Sequence, residues 1–302
     1  MNIIIKSQSP EVILAGVSLA NLTTFRVGGL AQWYASPKNW QELEMVLNWY
    51  NRASLPLTIL GAGSNLLVSD RGIKGLVLNT RHWRCGIHFD LEKTQITVAA
   101  GEPIPRVAWL AAKRGWQGLE WAVGIPGSVG GAVVMNAGAQ GGAIADCLVE
   151  VKVISPTGEL EILSGAMLNY GYRHSCLQNG QKLVLEATFQ LQPNSSREEM
   201  MALTSRNLHQ RKNSQPYDRP SCGSVFRNPN PYAAGWLIEQ TGLKGYQIGQ
   251  AQVAQRHANF ILNCGGAKAM DIWELIGYVQ AKIEQEWAIS LIPEVKFLGD
   301  FC

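Results

Sequence analysis

The sequence is poor in charge and contains no long apolar run. Charged residues make up 16% of the 302 residues, and 26 Lys and Arg against 23 Asp and Glu give a formal net charge of +3. This near-neutral balance does not indicate a broad nucleic-acid footprint. No apolar run approaches the ~18 residues of a membrane helix, and the apolar run within the first ten residues is too short for a signal peptide. We therefore expect a cytoplasmic protein that binds neither nucleic acid nor membrane.

Metal-ligand and disulfide patterns are also lacking. The six cysteines contain no C-x-x-C pair, which argues against both a zinc site and a disulfide scaffold; they are Cys85, Cys147, Cys176, Cys222, Cys264 and Cys302. The five histidines are equally dispersed, so no metal is expected. Apolar residues make up 46% of the chain, and the mean hydropathy is −0.02. This composition and length are typical of a globular protein with two or three domains.

Glycine, in contrast, is concentrated in residues 121–142, WAVGIPGSVGGAVVMNAGAQGG. Seven glycines and Pro126 lie in this stretch, which is too poor in side chains to form a helix or strand stabilised by its own packing. Glycine lets the backbone approach a ligand closely, and Ser128 with successive N–H groups could form a concave site for a pyrophosphate. The alternative is a glycine-rich turn between two strands. The apolar run 132–135 favours the phosphate site.

A second glycine loop, GAGSNLLVSD, follows the short apolar strand predicted at 57–60. It approaches the dinucleotide fingerprint G-x-G-x-x-G, but Leu66 stands at the sixth position and no long helix pattern follows. A Rossmann site is therefore not expected. The remaining interpretations are a tight loop that presents Ser64 and Asn65 to a ligand, and a plain turn.

Strand and helix patterns alternate with uneven spacing, which favours an α+β fold over a regular βαβ array. Four prolines make residues 214–231 irregular, and overlapping capping boxes at Ser195 and Ser196 open a helix, so a domain boundary is predicted near 195. The predicted helices cover 36–50, 103–114, 195–213, 232–242 and 267–289. The predicted strands cover 57–60, 75–79, 94–100, 148–154, 159–163, 183–191, 257–263 and 293–299.

Four side chains are candidates for chemistry. Arg173 lies among tyrosines, where its guanidinium suits a carboxylate or phosphate, or stacks on a tyrosine at the surface. Ser224 is not in a G-x-S-x-G motif, so hydrolase chemistry is not indicated; it is a proton donor or a turn serine. His257 alone is better explained as a structural histidine. Glu294, at the head of an apolar strand, needs a partner or a function unless it lies at an exposed edge.

Seven motifs together resemble one family: TTFRVGG, LGAGSNLL, GIPGSVGGAVVMNAGA, YRHS, SCGSVFRNP, AQVAQRHANFILN and PEVKFLG. In this order they resemble the UDP-N-acetylenolpyruvoylglucosamine reductase (MurB) family, over about residues 21–299. The resemblance implies an α+β protein with two FAD-binding subdomains of the vanillyl-alcohol-oxidase (PCMH) type and an α/β substrate-binding domain. The implied domains are 1–80 completed by the C-terminal strand 290–302, then 81–194, then 195–289.

The resemblance also implies an activity and its residues. The family reduces UDP-N-acetylglucosamine enolpyruvate to UDP-N-acetylmuramate, a peptidoglycan precursor, with non-covalent FAD and with NADPH as hydride donor; no obligate protein partner is implied. Arg173, Ser224 and Glu294 match the catalytic trio, and Tyr172, Asn228 and His257 align with substrate-contacting positions. The positions implied for FAD are Arg26, Gly61, Ala62, Gly63, Ser64, Asn65, Leu66, Leu67, Gly124, Ile125, Pro126, Gly127, Ser128, Gly130 and Gly131.

The sequence departs from the family pattern at two positions near Ser224. Cys222 stands where a small residue such as Ala is usual, and Arg227 where Lys is common. A tyrosine-bearing loop of the longer family branch is not evident, so the chain resembles the shorter branch. One alternative is another flavin oxidoreductase of the same fold, such as an alcohol or sugar oxidase, which covalent flavin attachment would favour. The other is a nucleotide-sugar binding protein without turnover, which would be expected to lack Ser224 or Glu294.

Overall fold

The structure, a computed structural model, describes residues 10–180, 182–193 and 196–301. The chain forms two compact units. Unit 1 comprises the chain up to Ala15, Trp33–Ala62 and Gly75–Arg211; unit 2 comprises Gly16–Gln32, Gly63–Lys74 and the chain from Lys212 onward. The capping box predicted at Ser195 lies outside the described residues, and the predicted three-part domain division stays a prediction.

The helices and strands are numbered in chain order. The α-helices are α1 Trp40–Ala53, α2 Ile104–Ala112, α3 Val129–Val134, α4 Arg197–Ser214, α5 Ala234–Gln240 and α6 Ala269–Trp287. The strands are β1 Ile13–Ser18, β2 Leu30–Ala35, β3 Leu57–Leu60, β4 Leu66–Val68, β5 Ile73–Asn79, β6 Ile87–Asp90, β7 Gln95–Ala99, β8 Trp116–Gln117, β9 Gly138–Ala139, β10 Gly142–Ala143, β11 Leu148–Ile154, β12 Leu160–Ser164, β13 Leu183–Gln190, β14 Gln192–Pro193, β15 Gln247–Ile248, β16 Ala251–Val253, β17 Ile261–Asn263 and β18 Lys296–Leu298.

Two sheets organise the first two thirds of the chain. One has the strand order β1-β2-β5-β3, and its strands β3 and β5 run parallel. The other, of order β12-β11-β13-β7-β6, is antiparallel, and the hairpin predicted around residues 156–158 is present as β11 and β12. Strands β11 and β13 contribute most of their apolar residues to the core of unit 1 together with α2; burial alternates along the second half of β13, whereas Leu183, Val184 and Leu185 at its start are all buried.

Helix α1 begins three residues later than predicted, since its N-cap is Asn39 and not Ser36. Its N-cap is Asn39, whose side-chain oxygen accepts the Glu42 N–H at 3.0 Å, while the Glu42 carboxylate accepts the Lys38 N–H at 2.8 Å. This reciprocal pair satisfies two backbone donors at the helix end. Ser36 is instead occupied elsewhere, since its hydroxyl donates to the Asn79 carbonyl at 3.1 Å.

The glycine stretch contains a short helix, α3, which is stabilised from outside. Its N-cap Ser128 accepts the Gly131 N–H at 3.4 Å, and the Gly130 N–H donates to the Ala100 carbonyl at 2.9 Å. Val129 and Val133 are fully buried in the core of unit 1. The stretch therefore does form a helix, but its own side chains do not stabilise it, as expected. Neighbouring segments supply the packing that it lacks.

Unit 2 contains the antiparallel sheet β15-β16-β17, the parallel pair β4–β18, and α6. The apolar face predicted for α6 is buried: Ile272, Leu275, Ile276, Val279 and Ile283. The strand predicted over 257–263 is wrong in its first half. The chain turns there, with the Phe260 N–H donating to the His257 carbonyl at 3.0 Å, and β17 begins only at Ile261.

Within the three described ranges, the structure contains no helix that is both long and apolar enough to cross a membrane.

Candidate active site

In unit 1 the two glycine loops approach each other closely. A Cβ atom placed on Gly61 would lie 2.8 Å from the Ser128 hydroxyl oxygen and within van der Waals range of Gly131. A side chain at position 61 would therefore displace the Ser128 hydroxyl, which accepts the Gly131 N–H in the second loop. Residues of the loops predicted to hold FAD, around Gly61–Ala62 and Gly124–Gly131, are thus neighbours in space.

The second loop is fixed by backbone hydrogen bonds to residues 100–104. The Ile104 N–H donates to the Gly127 carbonyl at 3.1 Å, and the Val129 N–H donates to the Glu102 carbonyl at 2.8 Å. A Cβ atom on Gly130 would lie 2.9 Å from the Ala100 Cβ. The loop is therefore rigidly placed with Ile125 and Pro126 at its partly exposed tip, as a preorganised ligand site requires.

In unit 2 the rest of the first loop, Gly63 to Leu67, packs against the TTFRVGG motif. The Thr24 N–H donates to the Gly63 carbonyl at 3.0 Å. Gly63 has φ +70°, and a Cβ there would meet the Leu22 carbonyl oxygen, so only glycine fits. Leu66 and Leu67 then enter β4, which pairs with β18, and this leaves Ser64 and Asn65 at the turn.

Two buried polar atoms beside these loops support a bound polar group. Asn79 lies opposite Leu60 in the sheet, directly before Gly61, and its Nδ2 has no hydrogen-bond partner within residues 10–180, 182–193 and 196–301. The Thr24 Oγ1 beside Gly63 is likewise buried and without a partner there. Each unsatisfied buried group costs about 1–3 kcal/mol. A flavin nucleotide carries polar atoms that satisfy groups of this kind, so the residues of each unit, taken by itself, fit that cofactor.

Arg173 in unit 1 has a left-handed backbone, with φ +53°. Its Nη2 donates to the Gly138 carbonyl at 2.8 Å, and its guanidinium carbon lies 5.0 Å from the Tyr172 ring centre. The loop that carries Arg173 is bound to the end of α3: the Ser175 hydroxyl donates to the Val134 carbonyl at 2.7 Å. The structure therefore holds Arg173 and the exposed Tyr172 beside the glycine stretch, and the tyrosine contact expected of a surface arginine is also present.

Ser224 and Glu294 are neighbours in unit 2. The Glu294 N–H donates to the Val225 carbonyl at 2.7 Å, and the Asn65 Nδ2 donates to the Glu294 carbonyl at 3.1 Å. The Lys296 N–H in turn donates to the Asn65 carbonyl at 3.0 Å. These bonds bring the serine segment, the final strand and the first glycine loop to one place. Ser224 is partly exposed, and Gly223 before it has φ +89°.

Cys222, one of the two departures from the family pattern, is buried in the apolar core of unit 2 with Val225 and Phe226. Burial raises the pKa of the Cys222 thiol, and the Glu294 carboxylate raises it further. The thiol is thus neutral at ordinary pH and in electrostatic contact with Glu294. It behaves as a small apolar side chain, as expected for the position of an alanine.

Asn228 and His257, the predicted substrate positions of unit 2, meet at the first turn of α5. The Asn228 Oδ1 accepts the Ala234 N–H at 3.0 Å, and the His257 ring lies 3.3 Å from where a Gly235 Cβ would be. Burial lowers the pKa of His257, and the charge of Lys244 lowers it further. His257 is therefore held neutral, with its Nδ1 accepting the Asn259 N–H at 3.3 Å.

Arg26 belongs to the TTFRVGG motif and lines a pocket in unit 2. The sequence did not single out Asn79 or Arg211, although both lie at the loops of unit 1; a Cβ on Gly124 would meet the Arg211 side chain. An asparagine that ends a buried apolar strand was the available signal for Asn79. In the described parts of the chain, no cluster of His, Cys, Asp or Glu could hold a metal.

Comparison with known proteins finds matching family models for two parts of the chain and relatives that match nearly all of it. Residues 215–298 match the model of the UDP-N-acetylenolpyruvoylglucosamine reductase C-terminal domain, and residues 31–164 match an FAD binding domain. The UDP-N-acetylenolpyruvoylglucosamine reductase of a Synechocystis strain is 57% identical over 97% of this chain and 96% of its own length. That of Acaryochloris marina is 58% identical over 94% of this chain and 92% of its own.

A solved structure agrees with the sequence relatives. The crystal structure of UDP-N-acetylenolpyruvylglucosamine reductase (MurB) from Thermus caldophilus matches with a TM-score of 0.79 at 35% identity, over 94% of this chain and 98% of that chain. The predicted α+β fold with an FAD-binding domain is thus confirmed. Since such relatives match along nearly its whole length, the chain belongs to the UDP-N-acetylenolpyruvoylglucosamine reductase family.

Proposed function

We propose that this protein reduces UDP-N-acetylglucosamine enolpyruvate to UDP-N-acetylmuramate, with NADPH as the reductant and non-covalently bound FAD as the hydride carrier. The observation that carries this proposal is the junction of Ser224 with Glu294 through the 2.7 Å bond from the Glu294 N–H to the Val225 carbonyl. Because the chain belongs to the reductase family, we assign the chemistry of that reduction to these two residues. The product is a peptidoglycan precursor, and we place its synthesis in the cytoplasm.

The loops at Gly61–Leu67 and Gly124–Gly131 would hold FAD, which would supply the hydride chemistry between NADPH and the vinyl carbon β to the substrate carboxylate. The residues of this chain handle the charge and the proton that follow. Arg173 binds the carboxylate with its planar guanidinium, which stabilises the negative charge that develops at the α-carbon. The Ser224 hydroxyl donates a proton to that carbon, and Glu294 orients the reacting group beside it. One hydride and one proton convert the enolpyruvyl ether into a lactyl ether.

The remaining positions bind and orient. The loops at Gly61–Leu67 and Gly124–Gly131 are proposed to hold the flavin nucleotide, since their closest approach admits only glycine. Tyr172, Asn228 and His257 are proposed to contact the sugar nucleotide. His257 is neutral because burial lowers its pKa, and its Nδ1 already accepts the Asn259 N–H, so its Nε2–H is left to donate a hydrogen bond to a ligand without adding a charge.

The experiment that tests this function follows the flavin absorbance of the purified protein under anaerobic conditions. NADPH should bleach the flavin bands, and UDP-N-acetylglucosamine enolpyruvate should restore them. The product, by mass spectrometry, should carry two more hydrogen atoms than the substrate. Bleaching of the flavin by an alcohol or sugar, with restoration when oxygen is admitted and none by the enolpyruvyl substrate, would assign the protein to the oxidases of the same fold instead.

Non-covalent attachment has its own test. Acid precipitation should leave the flavin in the supernatant, because none of the cysteines or histidines is proposed to bond to it. Yellow colour in the pellet would contradict this part of the proposal and favour an oxidase. A protein that cannot be reconstituted with FAD would contradict the proposal as a whole.

A further inference from the structure

Unit 2 contains a pocket that the proposed mechanism does not use. Its volume is about 440 Å³, and it is lined by Arg26, Arg219, Pro220 and residues 263–266. Both arginines are exposed at its wall. No acidic side chain is among its described lining residues. The pocket is therefore concave, of a size that admits part of a nucleotide, and of one charge sign.

The backbone at Arg26 is held in a conformation that a non-glycine residue rarely adopts. Its φ is +56°, and its N–H donates to the Thr23 carbonyl at 3.2 Å. Phe25 and Val27 on either side are buried in the core of unit 2, so the arginine must point outward. Strained backbone of this kind is typical of ligand sites. Across the described residues, neither Arg26 nor Arg219 forms an ion pair with a carboxylate.

The opposite wall of the pocket is fixed by Asn263. Its Nδ2 donates to the Phe25 carbonyl at 2.9 Å, which links this wall to the Arg26 segment, and its Oδ1 accepts the Gly265 N–H at 2.9 Å. Gly265 and Gly266 have φ +110° and +78°, and a Cβ on either would meet open space. Arg219 reaches the same loop, with its Nη1 3.4 Å from the Cys264 carbonyl oxygen.

Two permanent cations without a carboxylate partner suit a phosphate group. The proposed reaction involves three phosphate-bearing molecules, and their charges differ. The phosphates of FAD and of the UDP-sugar lie in diphosphate diesters, with one charge on each phosphorus. The 2′-phosphate of NADPH is a monoester, with a charge of about −1.5 to −2 at neutral pH. Only the monoester matches two guanidinium groups at a single phosphorus, and arginine is a recognised partner of this phosphate.

We infer that the pocket of Arg26 and Arg219 binds the 2′-phosphate of NADPH and so selects NADPH over NADH. This inference rests on the proposed function, since it names the recognition site of that reaction's reductant. It reassigns Arg26, which the family resemblance implied for FAD, to the 2′-phosphate of NADPH. It also adds Arg219 and the loop 263–266, to which neither the sequence nor the family match assigned a role. Arg219 acts here in binding and takes no part in the chemistry.

Calorimetry on the FAD-loaded enzyme tests the inference directly. The probes are adenosine 2′,5′-bisphosphate and 5′-AMP, which differ only in the 2′-phosphate. We expect the bisphosphate to bind at least about tenfold more tightly, and Arg219→Ala to remove most of that difference, since the loss of one hydrogen bond between charged groups weakens binding by about tenfold or more. Arg71→Ala is the matched control, because Arg71 is an exposed arginine of unit 2 that pairs with Asp300 at 3.2 Å. It should leave both affinities unchanged.

Stopped-flow kinetics separates this inference from the proposed function. Arg219→Ala should slow flavin reduction by low concentrations of NADPH while leaving reduction by NADH unchanged, and reoxidation by the enolpyruvyl substrate should keep its normal rate. Equal affinity for the two probes in the unaltered enzyme would overturn the inference, as would loss of FAD or slower reoxidation in Arg219→Ala. None of those results would affect the reaction assigned to the enzyme, whereas failure of the unaltered enzyme to reduce the sugar nucleotide would.

Discussion

The two units hold their candidate residues by different kinds of bond. In unit 1 the Arg173 loop is bound through side chains: the Ser175 hydroxyl donates to Val134, and the Asn136 Nδ2 donates to the Gly171 carbonyl at 2.9 Å. In unit 2 the Ser224 segment is bound mainly through backbone groups, such as the Glu294 N–H on Val225 and the Arg227 N–H on the Ile292 carbonyl at 2.9 Å.

This difference determines which substitutions each region tolerates. A backbone bond survives most side-chain changes, so Ser224 and Glu294 can be altered without moving the segments that carry them. A side-chain bond is lost with its residue, so the Arg173 loop depends on the identity of its neighbours. Unit 2 has exceptions at Asn65, whose Nδ2 donates to the Glu294 carbonyl, and at Asn259, whose side chain bonds to both backbone groups of Phe226.

The largest expected effect is that of Ser224→Ala on one half-reaction. Flavin reduction by NADPH needs no proton from Ser224 and should keep nearly its normal rate. Reoxidation by the enolpyruvyl substrate should slow by several orders of magnitude, because the α-carbon has lost its proton donor. Stopped-flow flavin absorbance measures both rates.

The control for this variant is Cys222→Ala, which removes the nearest competing donor in the sequence. Its thiol is buried and its pKa is raised, so the change should leave both rates close to normal. Normal reoxidation in Ser224→Ala together with slow reoxidation in Cys222→Ala would move the proton donor from the serine to the cysteine.

The exception at Asn259 should give the largest change in stability. Asn259→Ala leaves the buried Phe226 N–H and carbonyl without their partners, at 2.9 and 2.8 Å, and should lower the free energy of unfolding by about 2–4 kcal/mol. Ser175→Ala in unit 1 removes a single bond to Val134 and should cost only about 1 kcal/mol. Urea unfolding compares the two. Equal losses would mean that unit 2 relies on its backbone bonds alone.

Arg173→Lys tests the side-chain region of unit 1. Lysine keeps the charge but lacks the planar fork that donates to the Gly138 carbonyl and is proposed to hold the substrate carboxylate at the same time. Turnover should fall at least tenfold, which corresponds to about 1.4 kcal/mol. Steady-state kinetics measures the change, and unaltered constants would remove Arg173 from the site.

Local sequence patterns predicted the elements that depend on local contacts. Strands β3 and β11 have the predicted bounds, because a short apolar run between turn residues is sufficient to define them. The apolar face of α6 was likewise visible in its spacing. The start of α1 was not predicted correctly. Ser36 and Asn39 are both good N-caps, and it is the hydrogen bonds of Glu42 that make Asn39 the N-cap in the structure.

The site required contacts between distant segments, which the sequence does not specify. The motifs identified Ser224, Glu294 and Asn65 separately, but the bonds that join them connect three remote parts of the chain. The same holds for Asn259, a single asparagine whose importance comes entirely from Phe226. The left-handed backbone of Arg26 also gave no signal, because arginine has no preference for that conformation.

The smallest expected effect concerns the pH dependence of stability at His257. Burial lowers the pKa of this histidine in the folded protein, so the unfolded chain, with a pKa of about 6.5, takes up protons first as the pH falls. The stability that the neutral ring contributes is therefore complete above about pH 6.5 and is lost as the pH falls below that value. The loss has a local path in unit 2: a protonated Nδ1 cannot accept the Asn259 N–H, and Asn259 holds Phe226 beside the Ser224 segment.

In His257→Asn the side-chain oxygen can accept the same N–H without titrating, so its unfolding free energy should decline slightly less than that of the unaltered protein between about pH 7.5 and pH 5.5. His209→Asn, on the exposed surface of α4, is the control and should follow the unaltered protein. A steeper acid decline in His257→Asn would mean that the histidine is stabilised in its charged form, and the path through Asn259 would then be wrong.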